Sequence, residues 1–111
     1  MNYYETLYIV HPALEAGRLK DIILSVETVF TSNASNIVCT QVWGKKKLAY
    51  HIDKQKYGTY VLVQFESDGK SINTISTDLE INPNILAHLT TKISDSDLQK
   101  EARSLDDQIT G

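Results

Sequence analysis

The apolar residues of this chain change rhythm along its length, and each rhythm marks an element. Tyr3 to His11 carries three tyrosines with Leu7, Ile9 and Val10 and stops at Pro12, which has no amide for a ladder, so a strand is expected there. Leu19, Ile22, Ile23, Val26, Val29 and Phe30 follow at offsets of 0, 3, 4, 7, 10 and 11. That is the stripe of an amphipathic helix, with Arg18, Lys20, Asp21 and Glu27 outside it. The polar run from Thr31 ends the helix. Ile37 to Trp43 is β-branched and aromatic enough for a second strand. Gly58 to Glu66 sets Thr59, Val61, Val63 and Phe65 against Tyr60, Leu62 and Gln64, the clearest alternation in the chain. Asp68-Gly69 offers a cap for a short helix striped by Ile72, Ile75 and Leu79, which Asn82-Pro83 breaks. Ile85 to Ile93 completes the set, with Ile85, Ala87, Leu89, Thr91 and Ile93 on one face.

The order β-α-β-β-α-β, without repeats, points to an α+β, ferredoxin-like sandwich. In it a four-stranded antiparallel sheet carries both helices on one face. Residues 1–94 form that domain. Residues 95–111 form an acidic tail in which Leu98, Leu105 and Ile109 are too sparse to bury a face. The tail is expected to be frayed or disordered, with at most a transient helix starting at Asp95.

Composition narrows the class. With 111 residues, 41% of them apolar, the chain suits one domain with one core. No apolar run exceeds four residues, too short for a membrane span. The lone Cys39 supports no disulfide framework and suits a reducing compartment. With no Arg-rich stretch before Tyr3, a bacterial cytoplasm is the expected location.

The net charge of −3 conceals an uneven distribution. Between Gln41 and Tyr57, Lys45, Lys46, Lys47, Lys54 and Lys56 face one acid, Asp53. An acidic body bearing one compact basic patch does not coat nucleic acid, but can present a cationic tip to it. Lysines on a projecting hairpin suit a polyphosphate backbone, because each neutralised phosphate releases condensed counterions. Tyr50 or Trp43 could stack on an unpaired base. The alternation of Leu48, Tyr50 and Ile52 favours packing for Tyr50, and a merely solvated hairpin is the bland alternative.

Other chemistry finds little support. Asp68-Gly69-Lys70-Ser71 lies between strand and helix like a phosphate loop, but the pattern needs glycine at position 64, which is Gln64. His11, His51, His88 and Cys39 share no metal-ligand spacing, so no metal or cofactor is expected. His88 is expected on the exposed sheet face or satisfied in place. Glu5 and His11 share strand parity without identifying an acid/base pair; Glu5 reads as a strand charge paired with a basic residue across the sheet.

The residues also carry a family resemblance. Tyr4-Glu5, Ile9-Val10-His11-Pro12, the block Trp43-Gly44-Lys45-Lys46-Lys47-Leu48-Ala49-Tyr50 with Ile52 and Lys54, and Gly58-Thr59-Tyr60-Val61 resemble the bacterial small ribosomal subunit protein six family. The match runs in register from about Tyr3 to Ile93. The resemblance implies a ferredoxin-like fold and no enzymatic activity. It further implies assembly onto the central domain of small-subunit ribosomal RNA together with small-subunit protein eighteen, with the family's basic pair falling on Lys46 and Lys47. Lys45, Lys54, Lys56 and Tyr50 complete the candidate RNA-binding set. The chain departs from the pattern at Leu86 and Ala87, where relatives often carry arginine, and at His51, where they often carry proline.

A reading from another class is a dimeric ferredoxin-like enzyme or small-ligand sensor. Its pocket on the sheet face would be lined by His11, Tyr8 and His88.

Overall fold

The structure, a computed structural model, describes residues 2–11, 16–33, 35–52 and 54–98, without the side chains of residues 16, 17 and 49–52. Its elements are β1 (Asn2–Val10), α1 (Ala16–Ser32), β2 (Asn36–Ile52), β3 (Gln55–Ser67), α2 (Ile72–Glu80), β4 (Ile85–Ile93) and a 3-10 turn at Asp95–Asp97. The strands form one antiparallel sheet in the order β2-β3-β1-β4. This is the sandwich that the element order predicts.

Register decides which residues face the helices. Tyr4 pairs with Phe65, Thr6 with Val63 and Tyr8 with Val61, so the even positions of β1 and the odd positions of β3 share one face. Ile23, Val26 and Phe30 of α1 and Ile75 and Leu79 of α2 pack into the same buried cluster as Tyr8, Val61, Val63 and Phe65. Phe65 is its aromatic hub, with ring centroids 4.6 Å from Phe30 and 5.8 Å from Tyr4. A buried hydroxyl needs a partner: Thr6 and Thr90 meet across β1 and β4 at 2.7 Å. Among the described residues the Tyr8 hydroxyl has none.

Several details depart from the sequence pattern. A bulge between Ile9 and Val10 pairs Val10 with Ile85. This turns Ile85 into the core, away from Ala87, Leu89, Thr91 and Ile93. α2 begins at Ile72 behind Ser71, whose side chain makes no capping bond. Asp68 instead closes a local turn, its carboxylate accepting from the Lys70 amide at 2.9 Å. His88 is on the helix side opposite Tyr8 and meets Glu80 of α2 at 3.0 Å, so it is satisfied in place rather than on the open face. Among the described residues no helix is long and apolar enough to cross a membrane, and no cluster suited to a metal ion occurs.

Candidate nucleic-acid interface

β2 and β3 run on together well past the end of β1. Val10 is the last β1 residue paired with β3, at Thr59, whereas β2 and β3 stay paired through Lys45–Thr59, Lys46–Gly58, Lys47–Tyr57 and Ile52–Gln55. The predicted strand ends at Trp43 and Gly58 are therefore overturned: the lysines lie within a two-stranded ribbon rather than on a loop. Backbone pairing persists there because the two strands satisfy each other's amides without needing a core beneath them. At its tip Lys54 takes a left-handed backbone conformation, φ +64°.

Gly58 fits the ribbon to the sheet. A Cβ there would overlap Ile9 Cγ2, so the absence of a side chain lets Ile9 pack against the backbone at this point. Leu48, close to Gly58, is buried and anchors the ribbon's base.

The lysines do not form a single tip. A bulge between Val42 and Gly44 inserts one residue, with Gly44 at φ +92°, and shifts the alternation of everything beyond it. Lys46 then shares the helix-free face with Trp43, its ammonium 5.3 Å from the indole ring centroid. Lys45 and Lys47 take the other face, where the Lys45 ammonium is 5.3 Å from the Tyr57 ring. Lys45, Lys46, Lys47, Lys54 and Lys56 are all exposed, and Trp43 and Tyr57 are each 44% exposed. Tyr57 escaped sequence reasoning, because only the cross-strand register brings it beside Lys45. The Tyr50 side chain lies outside the described residues.

The helix-free face of the sheet holds a concavity of about 580 Å³, lined by Leu7, Trp43, Leu62, Leu89, Ile93 and the polar groups of Glu5 and Gln64 among others. Leu89 at 64% exposure is its most open apolar side chain. Tyr8 and His88 are absent from the lining, because register sends both to the helix side, so the residues expected for a sensor pocket do not meet there. Among the described residues Glu5 has no basic partner across the sheet, contrary to the expectation from its strand position. Its cross-strand partners are Gln64 and Thr91. Gln64 Nε2 donates to Glu5 Oε2 at 3.3 Å and to the Asp97 carbonyl at 3.0 Å. The latter bond ties the 3-10 turn to the rim of the concavity. Within that turn Asp97 Oδ2 accepts from the Ser94 amide and hydroxyl at 3.1 and 3.0 Å. Residues 99–111 lie outside the described residues. Cys39, on this face opposite Gln64, is buried, and burial pushes its thiol up, away from nucleophilic character.

Comparison with known proteins completes the picture. A family profile described as ribosomal protein S6 matches residues 3–92. The chain is 40% identical over 93 residues to Small ribosomal subunit protein bS6 of Fusobacterium nucleatum, covering 83% of this chain and 98% of that protein. To the protein of the same name from Synechocystis it is 33% identical over 104 residues, covering 94% and 92%. The crystal structure of 30S ribosomal protein S6 from Thermotoga maritima shares the fold. Its TM-score is 0.78 at 22% identity, over 83% of this chain and 87% of that one.

Proposed function

Because the chain belongs to the ribosomal protein S6 family of the small ribosomal subunit, we propose that it binds the central domain of small-subunit ribosomal RNA through its lysine ribbon and docks small-subunit protein eighteen on its helix-free sheet face. It is a ribosomal protein and not an enzyme. The observation that carries the proposal is the exposure of Lys45, Lys46 and Lys47 on a ribbon that leaves the sheet beyond Val10. Backbone pairing already orders the main chain that carries these ammonium groups, so only their side chains remain to be ordered on meeting phosphates, and each contact releases counterions.

Such contacts set position and orientation on the RNA more than they read its sequence. Lys54 and Lys56, nearer the tip, extend the cationic track. Tyr57 offers an exposed ring for stacking on unpaired bases, and Tyr50 stays a candidate on its place in the ribbon alone. On the other side of the division of labour, the apolar concavity offers a protein the burial that an RNA backbone cannot use. Leu86 and Ala87, replacing arginines common in the family, leave the ribbon as the principal cationic element for RNA. The domain proper spans residues 1–94 with an acidic extension over 95–111, and the site of action is the ribosome of the bacterial cytoplasm. No cofactor or small-molecule substrate enters this function.

The test is co-sedimentation with small ribosomal subunits lacking the protein, in low and high salt. The wild-type chain enters the particle; the Lys45→Glu/Lys46→Glu/Lys47→Glu variant, folded by circular dichroism, does not at moderate salt. Equal incorporation of the two would remove the ribbon from the RNA-binding surface.

A further inference from the structure

The floor of the concavity is built in rows across the sheet. Leu62, Leu7 and Leu89 form one row, register for register, and the next is Gln64, Glu5 and Thr91. Glu66, Tyr3 and Ile93 form the row on the far side of that polar row. The half-buried Glu5 carboxylate thus stands between the leucine row and a mixed row that carries a second acid at its β3 end. Among the described residues its one hydrogen bond comes from Gln64 Nε2, at 3.3 Å. A carboxylate has room for about four. The adjoining acid on the rim, Asp97, is engaged by Ser94, whereas Glu5 keeps most of its acceptor capacity directed at the open face.

We infer that the Glu5 carboxylate is the recognition point for a cationic side chain, a guanidinium or ammonium, presented by an apolar stretch of the protein that docks on this face. The inference rests on the reading that the sheet face docks a protein. Any occupant that covers Leu7 and Leu89 also strips water from Glu5. Burying that charge unpaired would oppose docking, so a stable occupant must return a cation to it. A planar guanidinium fits best, because it can bind the carboxylate in a fork while its stem lies along Leu89 and Ile93. RNA is a poor occupant here, since Glu5 and Asp97 repel phosphate. A second copy of this chain would bring its own Glu5 and Asp97 to the same face. Gln64 fixes the carboxylate and also holds the 3-10 turn, so the recognition point and the rim are set by one side chain.

The test is calorimetric titration of the full chain with recombinant small-subunit protein eighteen, comparing wild type with Glu5→Gln, Glu5→Lys and Leu89→Asp. Each variant is first checked for folding by thermal unfolding. Glu5→Gln preserves shape and keeps an oxygen for Gln64, yet is expected to weaken binding about thirtyfold, the loss typical of breaking a desolvated charge pair. Glu5→Lys and Leu89→Asp abolish binding, while affinity of Glu5→Gln for the RNA is unchanged. If Leu89→Asp abolishes binding but Glu5→Gln binds like wild type, the role of Glu5 is overturned and the docking face stands. If Leu89→Asp binds like wild type, the docking face itself is overturned. A homodimer in ultracentrifugation that Glu5→Gln strengthens would show that a second copy is the occupant and also overturn the inference.

Discussion

The ammonium of Lys46 stands 5.3 Å from the centroid of the Trp43 ring, on the face of the sheet that carries the apolar concavity. Its sequence neighbours Lys45 and Lys47 stand on the opposite face, toward Tyr57. Three consecutive lysines are therefore divided between two surfaces, one beside the proposed protein site and one free for RNA.

This division predicts unequal protection from acetylation. With the RNA alone, mass spectrometry should find Lys45 and Lys47 protected several-fold more than Lys46. Adding small-subunit protein eighteen should then protect Lys46. Equal protection of all three by RNA would mean that the ribbon is inserted edge-on, with both faces in contact.

Gly58 sets how the ribbon leaves the sheet. In Gly58→Ala the new methyl would collide with Ile9 Cγ2, a β-branched group with little freedom to swing away. The expected cost is about 1–3 kcal/mol, the usual range for overpacking. It should appear as a lower denaturation midpoint with an unchanged slope. Adding Ile9→Ala removes the colliding carbon, so the double variant should be more stable than the sum of the single effects.

Tyr8 makes stability sensitive to alkali. Burial first, and then the Glu27 carboxylate, push its hydroxyl far above the ordinary tyrosine range, so the folded state keeps the proton that the unfolded chain releases near pH 10. Stability is therefore unaffected below about pH 10 and falls as pH rises above it, because the unfolded state binds fewer protons there. Among the described residues the hydroxyl has no hydrogen-bond partner, so Tyr8→Phe should be neutral or stabilising by up to about 2 kcal/mol. Urea midpoints at pH 8 and pH 10.5 check both statements. The Tyr8→Phe protein should lose less stability than wild type over that interval.

Much of the fold was legible because its signals are local. The stripe from Leu19 to Phe30 is the buried face of α1, and the alternation from Thr59 to Phe65 gives the two faces of β3. The span Ile85–Ile93 coincides with β4. What stayed hidden depends on register. Bulges at Ile9–Val10 and Val42–Gly44 shift which side chains share a face, and periodicity along one strand carries no sign of an inserted residue. Hence Ile85 turned inward and the lysines separated. The ribbon's length was hidden too, because Lys45 to Lys47 has low strand propensity and is held there by pairing with residues 57–59. The concavity is a property of four strands at once, and neither the Glu5–Gln64 contact nor the turn tied to Gln64 has a signature in any single segment.

The most direct measurement of the central claim is the salt dependence of binding to a transcript of the central domain of small-subunit RNA, in the presence of small-subunit protein eighteen. For wild type the logarithm of the binding constant falls linearly with the logarithm of salt concentration. Replacing Lys45, Lys46 and Lys47 with glutamine should lower the magnitude of that slope by about 1.4 units, roughly 0.7 for each of the phosphate contacts of Lys45 and Lys47. An unaltered slope with unaltered affinity would show that the ribbon does not touch RNA.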